Sequence, residues 1–373
     1  MKTFGIKPEI KFGGDSLSFL KDLPYKKYFI VTDEMMVQLK LTDKIIDNLN
    51  SNCKIKIFSK VLPNPTIDIV KKGIMDLVTF EPECIIALGG GSPIDACKAI
   101  LYFGDKIFEL LGKKMERVFI AVPTTSGTGS EVTSYSVITD NNSKIALADD
   151  KMLPDIAILN SEFMKTLPKK VVADTGMDVL THALEAYVSK NSNSFTDSMA
   201  MEAIKIIFEN LLEHYNDRER IEPREKVQYA SCMAGIAFNN SSLGINHSIA
   251  HSIGAKFHIP HGRANAILLP YIIEVNSNAD GRYASISKNL GFPASNKEEG
   301  KKSLKVFINI LKEKMGIEKS LEEFGVDFEE YKKMIPEILA DIKKDICTTY
   351  NPNNLTDEEY IKLLLKIHYG EQY

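Results

Sequence analysis

The sequence predicts an α/β N-terminal domain on a mostly parallel sheet, residues 1–160, and an all-helical C-terminal domain, residues 161–373. Three observations predict this. Five short apolar runs alternate with helical patterns before about residue 160, long helical periodicities follow, and strand-like runs all but vanish beyond Lys169. A chain of 373 residues can hold two cores, because single cores stop growing at about 250–300 residues.

Residues 28–32 (YFIVT) predict a buried strand, and a helix follows over about residues 33–50. Residues 54–59 (KIKIFS) predict a second strand, after which the turn-forming Pro63-Asn64-Pro65 leads into an amphipathic helix over residues 66–80. Residues 84–88 (CIIAL) predict a third strand, running into three glycines and a helix over residues 94–102. Residues 118–122 and 156–159 complete the strands. Runs so continuously apolar belong to a sheet covered on both faces, in the parallel βαβ manner. Asn160 offers a helix N-cap at the domain boundary. Beyond it, residues 199–215, 224–238, 301–315 and 357–368 predict helices.

Charge excludes one class of partner. Forty-six Lys plus Arg against 50 Asp plus Glu leave a net charge of −4, with no basic excess to attract nucleic acid or an anionic membrane. The N-terminus, MKTFGIKPEIKFGG, shows no apolar signal region, and no apolar run approaches the ~18 residues of a membrane span. The five cysteines are scattered and never form CxxC, which argues against a disulfide framework or a zinc–thiolate site. The expectation is a cytoplasmic protein.

Four constellations carry chemistry. Gly89-Gly90-Gly91-Ser92-Pro93 joins a strand to a helix, where free N–H groups and the helix dipole favour a phosphate; a plain tight turn is the competing reading. Asp95, in the first turn, can equally serve the helix dipole. Pro123-Thr124-Thr125-Ser126-Gly127-Thr128-Gly129-Ser130 follows a buried strand, at the carboxyl edge where open α/β sheets bind ligands. Asp33 ends the first strong strand; it can accept from an adenosine ribose and repel a 2′-phosphate, favouring NAD over NADP, or it can cap a helix. Asp178 and His182 are four apart on a helical pattern, and His247, His251, His258 and His261 fall in NHSIAHSIGAKFHIPH. An i,i+4 carboxylate–imidazole pair completed by two imidazoles from another segment makes a first shell for a divalent metal. His214 and His368 stand alone on charged helices and read as surface or packing residues, as does His258.

Together these residues resemble the group III, iron-containing alcohol dehydrogenase family over essentially the whole chain. The resemblance runs through FIVTDEMM, PNPTIDIV, ALGGGSPIDACKAI, AVPTTSGTGSEVT, DTGMDVLTHALEAYVS and AFNNSSLGINHSIAHSIGAKFHIPHGRANAILLP. The last stretch is similar to the propanol and ethanol dehydrogenases of propanediol and ethanolamine utilisation. The resemblance implies a Rossmann-like dinucleotide-binding domain beside a helical metal-binding domain, in a dehydroquinate synthase-like architecture. It implies an NAD(H)-linked enzyme with one divalent metal, Fe2+ expected and Zn2+ the alternative, that interconverts short primary alcohols and aldehydes by reducing propionaldehyde or acetaldehyde. A 1,3-propanediol, butanol or glycerol-type dehydrogenase is the alternative, and a non-catalytic microcompartment component a remote one.

By the same resemblance the metal ligands are Asp178, His182, His247 and His261, and His251 lies near the nicotinamide without being a ligand. Asp33, Asn64, Gly91, Ser92, Thr124, Thr125, Thr128, Lys144 and Phe238 match cofactor-contacting positions. A homodimer or higher homo-oligomer is expected, in the cytoplasm or inside a bacterial microcompartment.

Overall fold

A computed structural model describes residues 3–114, 116–140 and 143–370. Among the described residues are eight strands: β1 (Glu9–Phe12), β2 (Lys27–Asp33), β3 (Lys54–Val61), β4 (Cys84–Gly89), β5 (Val118–Pro123), β6 (Tyr135–Asp140), β7 (Ser143–Ala148) and β8 (Ile156–Leu159). Six of them form one sheet in the order β1-β8-β5-β4-β2-β3, with every pairing parallel. β6 and β7 form a separate antiparallel pair.

The helices between strands are α1 (Glu34–Gln38), α2 (Leu41–Ile46), α3 (Ile67–Phe80) and α4 (Gly91–Leu110). Then come α5 (Lys169–Val188), α6 (Ser194–Asn216), α7 (Ile221–Ser241), α8 (Ile245–Lys256), α9 (His261–Val275), α10 (Asp280–Asn289) and α11 (Lys297–Lys314). The last four are α12 (Leu321–Phe324), α13 (Phe328–Lys344), α14 (Ile346–Tyr350) and α15 (Asp357–Tyr369).

The chain divides into two compact units. One holds residues 5–167 with 218–235; the other holds described residues 3–4, 168–217 and 236–370. In the first, strand alternation buries both faces of the sheet. Phe29, Val31, Ile85, Ala87 and Ala121 pack with α3 and α4 on one side, while Tyr28, Ile30, Ile86, Ile120 and Ile158 pack with α1 and α2 on the other. Each fully buried Val, Ile or Phe among them contributes about 1.5–3 kcal/mol. In the second unit, Ile249, Ile253, Leu268, Ile338 and Leu364 join α8, α9, α13 and α15 in one core. No strand occurs in it among the described residues, and no described helix is long and apolar enough to cross a membrane.

The mostly parallel sheet and the helical remainder match the fold class read from sequence. Three local features differ. The single helix expected over residues 33–50 is two short ones, because Lys40 takes a left-handed conformation (φ 56°) that ends one and starts the next. The glycine-loop helix begins at Gly91, three residues earlier than expected, and runs to Leu110. β1 and the β6–β7 hairpin were not foreseen: EIKF and YSVITD show no continuous apolar run, and the IALA of β7 is only four residues long.

Candidate metal centre and cofactor loops

α5 is buried nearly all round, from Val172 to Val188 apart from Thr175. On such a helix, polar side chains persist only with partners. Asp178 and His182 project from one face of it, and α8 and α9 bring His247 and His261 to the same place. One donor atom from each of the four lies within 4.8 Å of all the others. Nε2 of His247 is 3.8 Å and Nε2 of His261 is 3.7 Å from Asp178 Oδ1. Ligands about 2.1 Å from a shared tetrahedral ion lie roughly 3.4 Å apart, so these two pairs would close by a few tenths of an ångström, and the widest pair by up to about 1.4 Å, to form a first shell.

The donors have the right character for a cation. Burial above all, then charge on His182, His261 and His251, holds His247 well below the ordinary imidazole pKa, leaving a neutral ring with a lone pair. The Asn265 amide nitrogen lies 2.7 Å from Asp178 Oδ1, 3.1 Å from His247 Nε2 and 3.2 Å from His261 Nε2. Three acceptors converging on one polar hydrogen-bearing atom mark an acceptor-rich pocket, which suits a divalent ion.

The surroundings fix these side chains. Glu185, one turn beyond His182, accepts at Oε1 from the Asn246 backbone N–H (2.7 Å), and its Oε2 meets His247 Nδ1. That leaves Nε2 of His247 to face Asp178. Burial pushes the Glu185 carboxyl up to about 8, against the backbone donors at the start of α8. Arg263 donates to Asp174 Oδ1 (2.5 Å) and Glu318 Oε2 (2.7 Å), pinning the first turn of α9 to α5. Gly262 makes that approach feasible: a Cβ there would sit 2.2 Å from the Asp174 carbonyl oxygen.

His251 is half-buried beside the cluster, its ring parallel to His261 at 5.4 Å and its Nδ1 2.7 Å from Asp345 Oδ2. Phe238 is buried and stacks on His182 at 4.5 Å.

In the other unit, the carboxyl ends of four neighbouring parallel strands carry the remaining candidates. Asp33 ends β2, Asn64 follows β3, Gly91 and Ser92 follow β4, and Thr124, Thr125 and Thr128 follow β5. The chain leaves β2 for β3 on one side and β4 for β5 on the other, so the order reverses between β2 and β4. Such a switch point opens a crevice for a ligand. A Cβ on Gly91 would meet Thr128 Cγ2 at 2.8 Å, and one on Gly90 would meet Thr125 Oγ1 at 3.2 Å, so the two loops touch. Thr125 Oγ1 and Ser126 Oγ are buried and have no hydrogen-bond partner among the described residues. A phosphate or ribose would meet that demand.

Asp33 is the N-cap of α1, accepting from Met36 N at 2.9 Å. Asn64 sits at φ 55°, a region that asparagine tolerates better than most residues. The Lys144 side chain lies outside the described residues. His214 and His368 are buried packing residues, while His258 is exposed at φ 54°.

Sequence reasoning missed how groups beneath these sites hold the loops. Asp95 accepts from Ser130 Oγ (3.0 Å) and Val137 N (3.1 Å), and the wholly buried Lys98 donates to the carbonyls of Thr133 (2.7 Å) and Tyr135 (2.8 Å). Together they tie the Thr/Ser loop to α4. Glu185 and Asn265 carried a signal in their spacing, three residues beyond His182 and four beyond His261. Asp345 carried none.

Two family models cover most of the chain. Residues 8–161 match the iron-containing alcohol dehydrogenase model, and residues 172–368 match the C-terminal model of the Fe-containing alcohol dehydrogenase family. The NADPH-dependent butanol dehydrogenase of Clostridium saccharobutylicum is 41% identical, over 100% of this chain and 99% of that protein. A 1-propanol dehydrogenase of Salmonella typhimurium is 37% identical, over 98% and 99%. The aldehyde-alcohol dehydrogenase of Streptococcus pneumoniae is 40% identical over 99% of this chain, which spans only 46% of that protein. Among solved structures, the iron-containing alcohol dehydrogenase of Thermococcus thioreducens aligns with a TM-score of 0.91 and 31% identity, over 99% of this chain and 100% of the other.

Proposed function

We propose that this chain, which belongs to the iron-containing alcohol dehydrogenase family and is thus a metal-dependent oxidoreductase linked to a nicotinamide dinucleotide, reduces short aldehydes such as propionaldehyde or acetaldehyde to primary alcohols with NADH. The observation that carries the reading is the convergence of Asp178, His182, His247 and His261 within 4.8 Å. We assign these four as the ligands of one divalent metal, with iron the expected ion.

When bound, the nicotinamide supplies the hydride and the metal supplies Lewis acidity toward the substrate oxygen. The chain's own residues do the rest. Glu185 and Asn265 keep His247 and His261 aimed at Asp178. His251, held at Nδ1 by Asp345, exchanges the alcohol proton or orients the nicotinamide ribose through Nε2. Asn64, Gly91, Ser92, Thr124, Thr125 and Thr128 cradle the dinucleotide, with Phe238 and Lys144 as further contacts. Asp33 reads the adenosine ribose and rejects a 2′-phosphate.

The NADPH-dependent butanol relative favours a second reading, with NADPH and a longer aldehyde. A steady-state panel of C2 to C4 aldehydes with NADH and NADPH, on protein of measured metal content, decides between them. Highest kcat/KM with NADH and C2 or C3 aldehydes supports the first reading, and a preference for NADPH and butyraldehyde supports the second. We place the enzyme in the cytoplasm or within a bacterial microcompartment, as a homodimer or higher homo-oligomer.

A further inference from the structure

The helix that carries His247 and His251 is held along one stripe by a distant part of the chain. Residues 245, 248, 251 and 252 of α8 recur at helical spacing, and the segment from the end of α13 through α14 runs antiparallel beside them. Asp341 Oδ2 accepts from Ser252 Oγ (2.8 Å), Asp345 Oδ2 meets His251 Nδ1 (2.7 Å), the Thr348 and Ser248 hydroxyls are 2.8 Å apart, and Asn351 Oδ1 accepts from Ile245 N (3.3 Å). Three of these contacts hold the helix. The fourth holds an imidazole.

We infer that Asp345 is the positioning residue of His251: it fixes the proton on Nδ1 and the plane of the ring, so that Nε2 is the nitrogen left to act. The carboxylate is itself anchored, because its Oδ1 accepts from the Cys347 backbone N–H at 2.9 Å. Both oxygens are thus committed, one to the backbone and one to the ring. Burial opposes the charge of Asp345, yet the hydrogen bonds from His251 and the Cys347 backbone N–H hold it below the usual carboxylate range, so it acts as an acceptor. A neutral imidazole facing an acceptor at Nδ1 carries its proton there and its lone pair on Nε2. The stacking of His251 on His261 sets the same ring plane from the other side, with 13° between them.

This inference rests on the proposed role of His251, and two readouts separate them. The first is the 15N spectrum of histidine-labelled, zinc-loaded enzyme, with the His251 signal identified by its loss in His251→Ala. The Nδ1–H form is expected in the native enzyme, with the form or its population changed in Asp345→Asn. A native His251 protonated at Nε2 alone, or a spectrum untouched by Asp345→Asn, overturns the inference. The second is kinetic. Asp345→Asn keeps the Oδ1 acceptor for Cys347 and should lower kcat roughly 10- to 100-fold with KM little changed. Asp345→Glu should recover part of the loss. Added to His251→Ala, Asp345→Asn should cost nothing further. An equal loss in both backgrounds makes Asp345 a structural residue and overturns the inference. Full activity of His251→Ala removes the role proposed for His251 instead, while the spectrum still decides what Asp345 does to the ring.

Discussion

Replacing Gly262 by alanine places a methyl carbon 2.2 Å from the carbonyl oxygen of Asp174, 2.7 Å from its carbonyl carbon and 3.3 Å from Asp178 Cβ. Ordinary contact begins near 3.4 Å, so the first turn of α9 must move about 1.2 Å from α5, the difference between 3.4 and 2.2. The obstacle is backbone inside a packed helix pair and cannot rotate away. His261 is the residue before Gly262, and its Nε2 must share an ion with Asp178 Oδ1, now 3.7 Å away. Metal–ligand distances tolerate only about ±0.2 Å, so a shift of this size takes His261 out of the shell. We expect metal affinity to fall at least 10- to 100-fold, with an overpacking cost of about 1–3 kcal/mol in stability. Chelator competition on anaerobically purified protein measures the first, and thermal unfolding of the metal-free form measures the second. Native metal affinity in Gly262→Ala would refute the claim that this close approach assembles the site.

Further outcomes follow from the same geometry. His261→Ala should purify without stoichiometric metal and with nearly all activity lost; elemental analysis checks it, and full activity without metal contradicts it. Glu185→Gln replaces the carboxyl group that meets His247 Nδ1 by an amide and should weaken metal binding about 10- to 100-fold by the same competition assay, with no change pointing to a packing role alone. Asp33→Gly should raise the NADPH/NADH ratio of kcat/KM at least about tenfold while costing only a few tenths of a kcal/mol in cap stability; an unaltered ratio removes Asp33 as the ribose reader. Burial pushes Glu131 up to about 7. A raised carboxyl pKa favours the fold at low pH and loses that advantage as pH climbs through about 7. Glu131→Gln should therefore gain on the native protein by up to about 3 kcal/mol between roughly pH 5 and 8, and a pH-independent difference would refute this.

The central strands were legible because each is apolar on both faces: CIIAL and VFIAV have no polar side to misplace. The Asp178, His182, His247 and His261 cluster was legible because i,i+4 spacing and a dense histidine window survive without knowledge of packing. β1 was not, since EIKF is a four-residue edge strand with two exposed positions. The break at Lys40 was hidden because its left-handed backbone has no glycine to announce it. Glu185 shares a helix face with His182, but its partner His247 lies 62 residues on. Asp345 lies 94 residues from His251, and only the folded chain brings them together. Residues that hold other residues are set by packing, which local pattern does not encode.

The account's central claim is that Asp178, His182, His247 and His261 hold the single metal on which the reaction depends. The most direct test titrates Fe2+ into metal-free enzyme under anaerobic conditions while following NADH oxidation by propionaldehyde in the same samples. The account predicts a rate that climbs to a plateau at one equivalent per chain, and no climb in His182→Ala. A full rate before any metal is added, or an unchanged titration in His182→Ala, would contradict it.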